Sequence, residues 1–161
     1  MTFSRATVFV AMLAAAMMPS CACAHDRAAE ADILKIEHEI AAARTVSQIA
    51  RYFDPHVVLY DFMPPTIRGI SAFTAHVNDV FATMPSFEVQ IIEMDVNADT
   101  KLAFANSVQR VIVRDKAGHV TLDGIFRNTN CYHKVNGRWL IEYEHISFPV
   151  NLVTGKVILT P

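Results

Sequence analysis

The sequence predicts an α+β domain, with N-terminal helices packed on one face of a strongly curved, mainly antiparallel sheet. Three observations carry this. Apolar residues recur at helical spacing in Ile33, Leu34, Ile36, Ile40 and Ala43, and again after Gly69. Strand-like segments fill most of the chain from Phe87 onward. Asn136-Gly137, set between two of them, is a strong two-residue hairpin signal.

The first residues read as a leader. "MTFSR" is a short basic start, "ATVFVAMLAAAMM" an apolar run too short to span a bilayer, and "PSCACA" an A-x-A-like cleavage site. Cleavage is expected after Ala24, giving a periplasmic or secreted protein with no membrane contact once the leader is gone. The rival reading makes Cys21 a lipid-carrying cysteine, but Met18 and Pro19 make a poor lipobox. Loss of residues 1–24 removes Arg5 and no acid, taking the net charge from −2 to about −3. Two of the three cysteines leave with the leader, so Cys131 has no internal disulfide partner. Residues 25–30 read as a flexible start and residues 31–161 as one domain.

The first helix is expected over the stripe from Ile33 to Ala43. Thr45 or Ser47 can cap a shorter second helix carrying Val46, Ile49, Ala50 and Phe53, which Asp54-Pro55 ends. "HVVLYDF" reads as a strand that Pro64 and Pro65 stop, since neither can donate to a ladder. Gly69, or Ser71 as an alternative cap, opens a third helix with Ile70, Phe73, Val77, Val80 and Phe81 on one face. A long antiparallel meander follows, and "TGKVIL" can add a short last strand.

The hairpin fixes a register. Val135 should pair with Arg138, and unbroken pairing then sets Asn130 opposite Tyr143, Asn128 opposite His145 and Phe126 opposite Ser147. Glu142 and Glu144 would share the wet side, leaving Trp139, Ile141, Tyr143, His145 and Ser147 facing inward. A few convergent polar groups in an apolar shell suit a small-molecule site. The same groups would also serve as a hydrogen-bonded patch that fixes strand register.

Asp61 stands out, because a charge inside "VVLYDFMPP" costs free energy unless something pairs with it or uses it. Tyr60 and Phe62 should lie on the opposite side of that strand, while Met63 could form a pocket rim. Other chemistries find little support. There is no basic run or stripe for nucleic acid. With five glycines there is no phosphate-cradling loop, and no G-x-S-x-G turn. Cys131, His133 and Glu142 could share a patch but lack metal-ligand spacing, so no metal and no cofactor is expected.

Two segments, "YFDPHVVLYDFMPPTIRGISAFTAHV" and "NGRWLIEYEHISFPV", resemble the SnoaL-like branch of the NTF2-like superfamily, which includes ketosteroid isomerases. With the helical start, the resemblance covers roughly Ala31 to Leu159. It implies a cone in which a bent sheet wraps around helices and leaves a pocket at the open end, and a homodimer through the outer sheet face. It also implies that Asp61 holds the position of the isomerases' general base. The isomerases' enolate-binding tyrosine has no match in "LKIEHEI", and Asn128 or Asn130 stands near the place of their second acid. The reading is therefore an isomerase, lyase or cyclase acting on a small apolar carbonyl compound, with Asp61 as base and His145 as donor. Tyr143, Asn128, Asn130, Ser147, Phe126, Ile141 and Met63 complete the expected pocket. The alternatives are a non-catalytic ligand-binding module and a dimeric interaction domain.

Overall fold

A computed structural model describes residues 25–63, 65–84 and 86–159. The expected leader, residues 1–24, and the expected strand stop Pro64 lie outside them.

Helix α1 spans Arg27–Ala42. The Asp26 carboxylate accepts from the N–H groups of Ala28 and Ala29 at 3.0 and 3.1 Å, satisfying donors that the first turn leaves open. Asp26 N–H donates to the Ala98 carbonyl at 2.9 Å, which ties the helix start to the sheet. The expected flexible start at 25–30 is thereby corrected. Its polar composition concealed a capped first turn. Helix α2 spans Val46–Ala50 behind Thr45, and the Gln48 side-chain Oε1 accepts from the Arg44 and Thr45 N–H groups at 2.7 and 3.0 Å.

Strand β1, Phe53–Tyr60, is followed by a two-residue strand β2, Ile67–Arg68, that folds back on it. Helix α3 spans Ile70–Thr83. Gly69 precedes it at φ +81°, a left-handed conformation that glycine adopts without steric cost. The meander comprises β3 (Ser86–Ala98), β4 (Leu102–Arg114), β5 (Val120–Val135) and β6 (Arg138–Ser147). The sheet order is β2-β1-β6-β5-β4-β3, antiparallel throughout except for the β1–β6 pair. The helices pack on this curved sheet, as expected. "TGKVIL" contributes only a single bridge, Val157 to Val150, rather than a strand.

The hairpin turn is as expected: Asn136 and Gly137 take φ of 51° and 79°, and Val135 pairs with Arg138. His133 then pairs with Leu140 and Tyr132 with Ile141. The next pair is Cys131 with Tyr143, so Glu142 has no counterpart. This bulge shifts the register by one residue and exchanges the two faces of β6 beyond it, while β5 keeps its alternation. Asn130 therefore sits opposite Glu144, Thr129 opposite His145, and Arg127 opposite Ser147.

The core gathers Ile33 of α1, Val57 of β1 and Ile141 of β6, each 0% exposed, with Phe73 of α3 stacked on Phe53 at 4.0 Å between ring centroids. Replacing Ile33 with Ala leaves a cavity between helix and sheet. We expect a loss of about 2–5 kcal/mol in unfolding free energy by urea titration.

Candidate active site

The helices and the sheet enclose a cavity of about 230 Å³. Phe53, Phe62, Phe73, Phe126 and Phe148 contribute to a largely apolar wall. Among the described residues, its polar lining consists of Asp61, His76 and Glu144. A larger depression of about 490 Å³ lies around Ala98, Leu102, Phe104 and Cys131. None of its titratable side chains pair with one another, so it offers no comparable acid–base geometry.

Asp61 follows the last residue of β1, and its side chain is only 4% exposed. One carboxylate oxygen accepts from the Phe62 N–H at 2.6 Å. The other lies 2.9 Å from His76 Nε2. Burial of this acid is thus compensated by a backbone donor and an imidazole. His76 sits on α3 three residues after Phe73 and one before Val77, on the stripe that faces the sheet. That position was the available sequence signal, since a polar residue on an apolar helical stripe must find a partner inside.

Glu144 is the cavity's third polar residue and is buried. Asn128 Nδ2 donates to it at 3.2 Å. Burial pushes its carboxyl up to about 8, helped by the negative charges of Glu37 and Asp61 and opposed by the Asn128 bond. Behind it lies a second buried acid, Glu37 of α1, which accepts from Asn130 Nδ2 at 2.8 Å and from the Tyr132 hydroxyl at 2.7 Å. Burial raises the Glu37 carboxyl, against these two bonds. Like His76, Glu37 lies on an apolar stripe, between Ile33 and Ile40.

The expected site residues divide three ways. Asp61, Met63 and Phe126 line the cavity. Asn128 and Asn130 point inward but are tied up with Glu144 and Glu37 below it, and Ile141 is sealed in the core. Tyr143, His145 and Ser147 require correction. The bulge turns them to the outer face, where Tyr143 is 44% exposed and the His145 ring meets Tyr60 edge-on. His145 cannot face Asp61 from there. Phe62 is also corrected: β1 ends at Tyr60, so strand alternation no longer governs it, and its ring packs on Phe148 at 4.9 Å beside the cavity. Val77 and Phe81, expected on one face of the third helix, line the cavity as well. His133, on the outer side, pairs with Asp54 at 2.9 Å rather than forming a ligand set with Cys131.

The raised Glu144 carboxyl ties stability to pH. The folded state holds this proton up to about pH 8, whereas the unfolded chain releases it near the ordinary value of 4.5. Its contribution is therefore full in acid and is lost as the pH rises through that window. The Glu144→Gln variant should lose less stability than the parent between about pH 5 and about pH 8, read by urea titration at several pH values.

A SnoaL-like domain profile matches residues 32–151. No curated protein matches the chain at a significant level. Solved structures with a similar fold include an NTF2-like protein of unknown function from Pseudomonas putida KT2440, at 24% identity over 85% of this chain and 98% of that one, with a TM-score of 0.77. A candidate dehydratase of the NTF2-like family from Streptomyces avermitilis is 12% identical over 77% of this chain and 97% of its own, with a TM-score of 0.67. A candidate ketosteroid isomerase from Shewanella frigidimarina is 18% identical over 70% and 92%, with a TM-score of 0.60. These likenesses show an NTF2-like fold, and the profile match spans most of the domain: the chain belongs to the SnoaL-like family.

Proposed function

We propose that this protein is a small-molecule enzyme of the isomerase, lyase or cyclase type, acting on a compact apolar carbonyl compound. The observation that carries the reading is the cavity's polar set: an Asp61–His76 pair and a buried Glu144 in an otherwise apolar wall. Asp61 and His76 move the proton. With the ring hydrogen on Nε2, His76 donates to Asp61 and keeps Nδ1 as a base, while each Asp61 oxygen retains acceptor capacity. Either group can take a proton from the carbon beside a carbonyl.

Glu144 complements them. A carboxyl raised to about 8 carries its proton at neutral pH and can donate to the oxygen on which charge develops. Its O–H fills the donor role expected of His145. The enolate then collapses by reprotonation at another carbon, by expulsion of a neighbouring group or by ring closure. The apolar wall excludes water from this charge and strengthens both interactions.

Two further expectations belong to this reading. The leader-like residues 1–24 support export to the periplasm or beyond. The outer sheet face, where Tyr60, Phe104 and Tyr143 are about half exposed, suits a homodimer contact.

The test starts from a thermal-shift screen of small ketones and lactones, followed by turnover of each hit. Asp61→Asn should lower kcat by about 10²–10⁴ while ligand still binds, and His76→Ala should act in the same direction. Undiminished turnover in Asp61→Asn overturns the base role. Hits that bind the parent protein but never turn over would move it to a binding module.

A further inference from the structure

Beyond β6 the chain folds into a small hairpin. Val150 bridges to Val157, Asn151 N–H donates to the Lys156 carbonyl at 2.9 Å, and Ile158 N–H donates to the Pro149 carbonyl at 2.8 Å. The turn satisfies three of its own donors. Asn151 Oδ1 accepts from the Val153 and Thr154 N–H groups at 2.9 and 3.0 Å, and the Asn151 carbonyl accepts from Gly155 at 2.8 Å. At the tip stand Leu152 and Val153, each 95% exposed, the most exposed large apolar side chains among the described residues. Single exposed aliphatics are ordinary. An adjacent pair on an ordered turn is not, because turn tips favour glycine and small polar residues.

The base of this hairpin is also the rim of the cavity. Phe148 lines the cavity and packs on Phe62, and Phe62 and Met63 are themselves 47% and 46% exposed. Between Phe148 and Leu159 the one charged residue is Lys156.

We infer that the Leu152–Val153 tip is a lipid-docking device that sets the cavity mouth on a bilayer surface, with Lys156 held among the headgroup phosphates. Hydrocarbon penalises unpaired backbone donors, and three of the turn's four, the Val153, Thr154 and Gly155 N–H groups, are paired within it, leaving Leu152 N–H to the hydrated headgroup layer. A narrow convex aliphatic tip beside one cation fits an acyl–headgroup boundary. The outer sheet face, with its half-exposed aromatic residues, is the surface that fits a second copy. With a net charge of −2, the chain gains little from anionic lipid at large, so the aliphatic pair carries the contact. This docking stands apart from the catalytic reading and runs against the expectation of no membrane contact drawn from the leader's removal.

The test places a reporter at the tip of the full chain. In Leu152→Trp, phosphatidylcholine vesicles should shift the added emission to the blue, and brominated acyl chains should quench it; Trp139, 5% exposed, is the unchanging background. Adding Val153→Asp should weaken partitioning at least tenfold with an unchanged melting temperature. All variants share the same N-terminal segment, so the difference between them reads the tip. Emission that ignores vesicles overturns the proposal. So does a blue shift that grows with protein concentration in the absence of lipid, which would assign the tip to a second copy.

Discussion

One unpaired residue in β6 governs the site. Had Tyr132–Ile141 pairing continued unbroken, Tyr143 and His145 would face the helices and Glu144 would face water. Glu142 instead takes an extra place in the strand, and Cys131 pairs with Tyr143. Because side chains alternate with period two, that insertion exchanges an imidazole for a carboxyl on the inner face. It falls where β6 turns from closing the core at Trp139 and Ile141 to lining the cavity at Glu144 and Ile146. Bulges add local twist, which suits a sheet that wraps around helices.

The inward turn of Glu144 makes the interior polar network possible. Two carboxyls, Glu37 and Glu144, are buried within reach of Asn128, Asn130 and Tyr132. The carboxyls repel one another when charged, and burial favours their neutral forms. Each bond in this network joins separate elements: Glu37 joins α1 to β5, and Asn128 joins β5 to β6. Removing one member would strand the others without partners in a low-dielectric interior, a cost larger than the bond itself contributes. The network therefore fixes how the first helix seats on the sheet, and with it the floor of the cavity.

Above that floor the wall is aromatic and the polar groups are few. Phe53 stacks on Phe73, and Phe148 bridges Phe62 and Phe126. Such a wall gives shape and dryness without competing hydrogen bonds, so a ligand's orientation is left to Asp61, His76 and Glu144. The last residues complete this end of the domain. Ile125 N–H donates to the Leu159 carbonyl at 3.0 Å, and a Cβ on Gly124 would come within 3.0 Å of the Leu159 side chain. Glycine at that position lets the tail close against β5.

The sequence by itself determined the order of the helices and long strands, though not the two-residue β2, together with the Asn136-Gly137 turn with its first pairs and Asp61 as an acid that had to be accommodated. These are local matters: φ preferences at a turn, apolar periodicity along a helix, and the cost of a lone charge in an apolar run. Even His76 and Glu37 left a trace, as polar residues on apolar helical stripes. What only the tertiary structure decided was which groups meet. No propensity marks Glu142 as unpaired, because a bulge is set by how the whole sheet bends around its helices, and one such step reassigns every β6 side chain beyond it. Asp61 therefore met an imidazole from a helix rather than from a strand, since a buried carboxylate takes the donor that packing brings within 2.9 Å, not the one nearest in a flat register.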